Sequence, residues 1–178
     1  GGLGSTFAAN GPVKHGSIGV ALPYTEARIA HPENANETLP VGEVGELMVK
    51  GGIVMLGYYG NEQATRDTIE PDGWLHTGDV AIMDEEGFVS IQDRIKDMII
   101  SGGLNVYPKE IESILDKING VTESAVIGVP HADFGEAVVA VIVCDDIKAK
   151  NGPLSEKQII AEMKTTIAGF KVPKQIHF

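Results

Sequence analysis

The stretch from Asp93 to Glu112 most constrains what this chain can fold into. Four charged residues in the five positions Asp93-Arg94-Ile95-Lys96-Asp97 give way to Met98-Ile99-Ile100. Ser101-Gly102-Gly103 follows, and then Pro108 ahead of Glu110 and Glu112. That order predicts a polar linker, a buried strand, a sharp turn and a helix. Two adjacent glycines tolerate positive φ and, lacking Cβ atoms, let other groups approach the main chain. Pro108 suits the first helical position, where a missing N–H costs nothing, and the two glutamates complement the helix dipole. A lone Gly-Gly would signify no more than a hairpin corner; the whole string is far more specific.

The hydrophobic pattern differs on its two sides. Upstream, the alternation Glu26-Ala27-Arg28-Ile29 predicts a strand, and the polar tract from His31 to Pro40 a surface loop. Val44 to Lys50 predicts a second strand, ended by Gly51-Gly52. A short helix from about Glu62 to Ile69 is capped by Asn61 and carries the i,i+4 pair Glu62 and Arg66. Val80–Met83 and Phe88–Ile91 flank the acidic turn Asp84-Glu85-Glu86-Gly87 as a hairpin. Downstream, Ile111, Ile114, Leu115 and Ile118 mark one face of a helix ending at Asn119-Gly120. Ala125–Val129 and Ala137–Val143 read as central strands, and Asp145 to Pro153 as a charged loop. Ser155 with Gln158 forms a capping box, ahead of a helix that buries Ile159, Ile160, Met163 and Ile167 and ends at Gly169. A last strand starts at Gln175. The expected class is α+β: an antiparallel, β-rich part over residues 1–95 and a small α+β domain over residues 96–178.

A net charge of −11 argues against a nucleic-acid or anionic-membrane surface. The one cysteine, Cys144, cannot form an internal disulfide and reads as a buried structural thiol in a reducing, cytoplasmic setting. The apolar run before it is too short to cross a bilayer, and no charged-then-apolar signal peptide opens the chain. His76, His131 and His177 lack ligand spacing, so no metal site is expected on them.

The string D-R-x-K-D-x-I-x-S-G-G-x-N-V-Y-P-x-E-I-E, with Trp74-Leu75-His76-Thr77-Gly78-Asp79 upstream, resembles the adenylate-forming enzymes: acyl- and aryl-CoA ligases, firefly luciferase and nonribosomal-peptide adenylation domains. Its form is similar to the CoA-ligase branch, with one departure at Leu104, where such ligases usually carry Glu. The resemblance runs from about Gly16 to the last residue. It implies that residues 1–95 are the distal part of a large AMP-binding domain and residues 96–178 its C-terminal lid. It also implies ATP and CoA as substrates with a carboxylic acid, and Mg2+ accompanying ATP. The acidity of the chain then suggests that basic contacts to ATP and CoA come partly from elsewhere.

The same resemblance implies residue roles. Asp79, with Thr77 and Gly78, would grip the ribose hydroxyls, since a carboxylate accepts two hydrogen bonds. A Thr-Gly-Asp alone is common, and an acidic turn cap is the bland alternative. Arg94 would contact the ribose or phosphate; its alternative is a surface pair with Asp93 or Asp97. Lys96 would be the hinge between two working poses. Gly102 and Gly103 would line the path of CoA's thiol arm, with Phe134 and Phe170 beside the arm or its adenine, although aromatics are more often core.

Neither a Ser/Thr/Gly-rich phosphate loop nor the glycine-lysine expected after Val172-Pro173-Lys174 lies within these residues, and Lys171 and Lys174 are not substitutes. The first residues read as an arbitrary cut. The expectation is therefore the C-terminal part of an acid–CoA ligase of fatty-acid type metabolism, with no catalytic residue of its own and inactive alone. An adenylation domain loading a carrier protein and a non-catalytic interaction fragment are the rivals.

Overall fold

The computed structural model describes residues 13–32, 34–145 and 154–178, together with the backbone of Ser5 and Thr6. It divides into two compact units, Gly1–Ile95 and Lys96–Phe178, and its class is α+β with antiparallel sheets.

In the first unit the short strands β1 (Ser5–Thr6) and β2 (Val20–Ala21) pair with each other. The chain then builds β3 (Thr25–His31), β4 (Asn34–Thr38), β5 (Val44–Gly51), helix α1 (Glu62–Thr68), β6 (Leu75–Met83) and β7 (Val89–Arg94). The sheet order is β4-β3-β5-β6-β7, antiparallel throughout. β5 is central and buried along most of its length. Alternation sends Leu47 and Val49 to one face, with Ile29, Ala81 and Val89, and sends Met48 to the other, with Ala30 and Trp74. The tract from His31 to Pro40, expected to be a loop, contains β4. All side chains of β4 but Ala35 are polar and exposed, so no hydrophobic alternation announced it; it is held as an edge strand by pairing with β3, with Ala35 packed against the Ala30, Met48 and Trp74 cluster. Asn61 caps α1 by accepting from Ala64 N, and Arg66 lies 3.3 Å from Glu62.

In the second unit a 3-10 turn at Ile95–Asp97 leads into β8 (Ile99–Ser101), β9 (Leu104–Val106), α2 (Pro108–Leu115), β10 (Val121–His131), β11 (Gly135–Cys144), α3 (Glu156–Met163) and β12 (Gln175–His177). The sheet runs β10-β11-β8-β9, with β12 parallel to β11. The Gly102-Gly103 turn therefore joins a hairpin, β8 to β9, before the helix begins. Both glycines have positive φ, +60° and +78°, as a two-residue hairpin turn of the primed kind requires. Ile99 is buried but Ile100 is half exposed, so the apolar run 98–100 alternates rather than being buried throughout.

Three further expectations change. β10 is an edge strand, exposing Ile127 and Val129; its edge N–H at Val126 is satisfied by Glu112 from α2 at 3.0 Å. Helices α2 and α3 stop at Leu115 and Met163, short of Asn119 and Gly169, and turns carry Ile118 and Ile167 to the core. The capping box of Ser155 and Gln158 is present. Cys144 is half-buried and packs against this core with Leu154 and Phe170. The charged loop assigned to Asp145–Pro153 lies, beyond Asp145, outside the described residues. Among the described residues no helix is long and apolar enough to cross a membrane.

Candidate functional site

Strands β6 and β7 bring the two upstream motif residues together. Asp79 stands opposite Arg94 in the ladder, and Arg94 Nε lies 3.6 Å from Asp79 Oδ1. The bland alternative pairing differs in detail: Asp93 Oδ1 accepts the backbone N–H of Arg94, while the guanidinium faces Asp79. Asp79 is mostly shielded, with its side chain 17% exposed, whereas Arg94 is 64% exposed. A shielded carboxylate thus sits beside an exposed cation.

The Trp74-to-Asp79 motif lies largely inside β6, not in a turn before a strand, and it is irregular there. Glu46 pairs with Val80 and Met48 with His76, so Leu47 alone opposes Thr77, Gly78 and Asp79. This bulge needs a left-handed residue, and Gly78 supplies it at φ +73°. Thr77 Oγ1 donates to Leu47 O at 2.6 Å and accepts from Asp79 N at 3.1 Å, so its hydroxyl ties the bulge to β5. Trp74 is buried beneath the Arg28 guanidinium, 4.2 Å from its ring, with Lys50 at 5.8 Å.

Two further residues shape the site that the sequence motifs did not single out. Glu46, only 6% exposed, accepts the Gly78 N–H at 3.2 Å through Oε1 and bonds His76 Nδ1 at 2.8 Å through Oε2. Glu70 Oε1 lies 3.0 Å from the other ring nitrogen, His76 Nε2. Burial of the ring works against its charge, but the hydrogen bonds to Glu70 and Glu46 outweigh it and hold the His76 pKa above the ordinary 6.5. A carboxylate in the otherwise apolar run Val44–Val49 was the legible signal for Glu46; nothing local marked Glu70.

In the second unit, Lys96 is exposed within the 3-10 turn. Gly102 N donates to Phe134 O at 2.9 Å, and a Cβ on Gly102 would stand 3.8 Å from the Phe134 ring. A Cβ on Gly103 would meet open space. His131 stacks near Phe134, ring centroids 4.8 Å apart, and Lys174 Nζ sits 5.0 Å above the same ring. Gly102 and Phe134 therefore form one cluster, joined by His131 and Lys174. Phe170 instead packs against the hydrophobic core of the unit.

Residues 2–59 match the AMP-binding enzyme family, and residues 110–178 match the AMP-binding enzyme C-terminal domain. A long-chain-fatty-acid–CoA ligase of Salmonella typhimurium is 48% identical over 163 residues, covering 92% of this chain and 28% of that protein. A feruloyl-CoA synthase of Amycolatopsis sp is 43% identical over 186 residues, covering 99% of this chain and 36% of that protein. Among solved structures, ATP-bound MatB from Rhodopseudomonas palustris superposes with a TM-score of 0.86 at 46% identity, covering 95% of this chain and 33% of that one. The chain thus spans about a third of the length of the relatives it matches.

Proposed function

We propose, for a chain that belongs to the adenylate-forming AMP-binding enzymes, that it is the C-terminal part of an ATP-dependent acid–CoA ligase. The reaction joins a carboxylic acid to ATP as an acyl-adenylate with release of pyrophosphate; CoA's thiol then attacks the acyl carbon and AMP leaves. The observation that carries this reading is the Asp79–Arg94 pair, a shielded carboxylate and an exposed guanidinium held side by side on β6 and β7.

In this reading Asp79 accepts both ribose hydroxyls, and Gly78, without a side chain, leaves room for the sugar against the main chain. The Thr77 hydroxyl fixes the bulge that presents the carboxylate. Arg94, largely exposed, serves ribose or phosphate oxygens with its planar fork of donors. Lys96 is the hinge: a short 3-10 connector with a solvated side chain can change backbone conformation at little cost. Gly102 and Gly103 leave a narrow passage for the thiol arm, with Phe134 as an apolar wall. Phe170, packed in the core, supports that region from within. Residues 1–95 are then the distal part of the AMP-binding domain and residues 96–178 its lid. Magnesium accompanies ATP and neutralises its phosphates. Cytosolic ATP and CoA suit such a reaction, and relatives named for long-chain fatty acids and feruloyl groups favour an acid with an apolar body.

The test is rapid-quench kinetics in the intact ligase. Lys96→Pro, which fixes φ at the hinge, and Gly103→Leu, which puts a branched chain into the passage at a positive-φ position, should still form acyl-adenylate in one turnover. Both should then discharge it to CoA far more slowly than wild type. Folded variants that pass the acyl group at the wild-type rate would remove Lys96 and Gly103 from these roles.

A further inference from the structure

We infer that Glu46, His76 and Glu70 form a proton-carrying clamp that positions the Thr77–Asp79 bulge, so that ribose recognition depends on the charge of a histidine that never touches the nucleotide. The inference rests on the assignment of Asp79 to the ribose.

The geometry starts with Glu46. Its carboxylate is buried on the same side of β5 as Met48, where an unpaired charge would be costly, and it is paired twice. One oxygen accepts the N–H of Gly78, the residue whose left-handed conformation creates the bulge; the other faces His76 Nδ1. The ring's second nitrogen faces Glu70. A neutral imidazole has one donor and one acceptor, so it cannot donate to a carboxylate on each side; the imidazolium can. The proton on His76 therefore binds two elements together, β5 and the turn after α1, and holds Glu46 where it can grip Gly78. Thr77 completes the bulge from the other side through Leu47 O and Asp79 N.

The charged groups bonded to the ring are the two carboxylates, Glu46 from β5 and Glu70 from the turn after α1, and Met48 is its ladder partner on β5. When the proton leaves, one ring nitrogen still donates, but the carboxylate on the other side faces an acceptor nitrogen, and the clamp loosens. The Gly78 N–H is then less firmly held, and Asp79 loses its fixed aim. His76, Glu46 and Glu70 are positioning residues; Asp79 does the binding. The hydrogen bonds that raise the His76 pKa place the loosening on the alkaline side of 6.5.

The readout must report the ribose hydroxyls alone. AMP and 2′,3′-dideoxy-AMP share base and phosphate, so phosphate ionisation cancels in the ratio of their Kd values. In the intact ligase that ratio should favour AMP and decline as pH rises from about 6 to about 9. His76→Gln should lower the preference roughly tenfold at about pH 6, leave dideoxy-AMP affinity unchanged and abolish the pH dependence. Glu70→Gln, on the more exposed partner, should keep the preference at low pH and move the midpoint of its decline downward; it carries the test if His76→Gln does not fold. An unchanged preference and pH profile in His76→Gln, or an unmoved midpoint in Glu70→Gln, overturns the clamp. Asp79→Ala separates the two claims: if it keeps the preference, the ribose assignment itself fails. If Asp79→Ala loses the preference while His76→Gln keeps it, only the clamp fails.

Discussion

Replacing Asp79 by alanine should separate binding from stability. The side chain's neighbour in the free protein is Arg94, at 3.6 Å, and Arg94 is 64% exposed. An ion pair so open to solvent contributes at most about 1 kcal/mol, so its loss should scarcely move the unfolding midpoint. The backbone N–H of Asp79, held by Thr77 Oγ1, is untouched by the substitution. Binding is another matter. If the carboxylate accepts both ribose hydroxyls, two charge-assisted hydrogen bonds go, each worth about 1.5–3 kcal/mol. A loss of about 3 kcal/mol or more corresponds to roughly a hundredfold or greater weakening of AMP. The assay is AMP titration by calorimetry beside urea denaturation of the same variant. Wild-type AMP affinity in Asp79→Ala would refute the ribose role. A stability loss of several kcal/mol alongside weak binding would show that the residue acts through the fold instead.

Gly45 should tolerate nothing larger, because a Cβ there would stand 2.3 Å from Ala30 O and 2.6 Å from Leu39 Cδ1. Gly45→Ala should cost at least about 1–3 kcal/mol in urea melts, since a backbone carbonyl must move; an unchanged midpoint would contradict the β3–β5 packing. The clamp also predicts a pH dependence of stability. A histidine whose folded pKa is raised stabilises fully below its unfolded value of 6.5 and loses that contribution as pH climbs through the folded value. Lys14, raised from 10.5, and Asp84, lowered from 3.8, act well outside that window. Melts of the chain should therefore show the first unit falling in Tm above about pH 6.5 in wild type but not in His76→Gln, at about 4–8 °C per kcal/mol for a unit of this size.

The sequence was most legible where local chemistry and fold agree. Asn61, Pro108 and the Ser155–Gln158 box mark helix starts because caps act within one turn. Helix ends were overrun at Leu115 and Met163, because Ile118 and Ile167 continue the apolar pattern while reaching the core from turns. β4 was invisible, since an exposed edge strand needs only backbone partners. β10 looked central because Ile127 and Val129 are apolar, yet they are exposed at an edge. At the site, motif residues were readable one by one, but their meeting was not. Arg94 reaches Asp79 through the β6–β7 register, and Glu46 reaches Gly78 across 32 positions of chain. Such contacts belong to topology, and spacing along the chain does not encode them.

The most direct test of the central claim uses the intact ligase with ATP, a panel of carboxylic acids and CoA. Exchange of labelled pyrophosphate into ATP is measured without CoA, and nucleotide products are identified when CoA is added. An adenylate-forming ligase exchanges pyrophosphate only when its acid is present, and on addition of CoA yields AMP and thioester in equal amounts. Asp79→Ala should depress the exchange by the factor it costs in AMP affinity. Formation of ADP and phosphate, or thioester without any acid-dependent exchange, would contradict an acyl-adenylate route and with it the roles of Asp79 and Arg94.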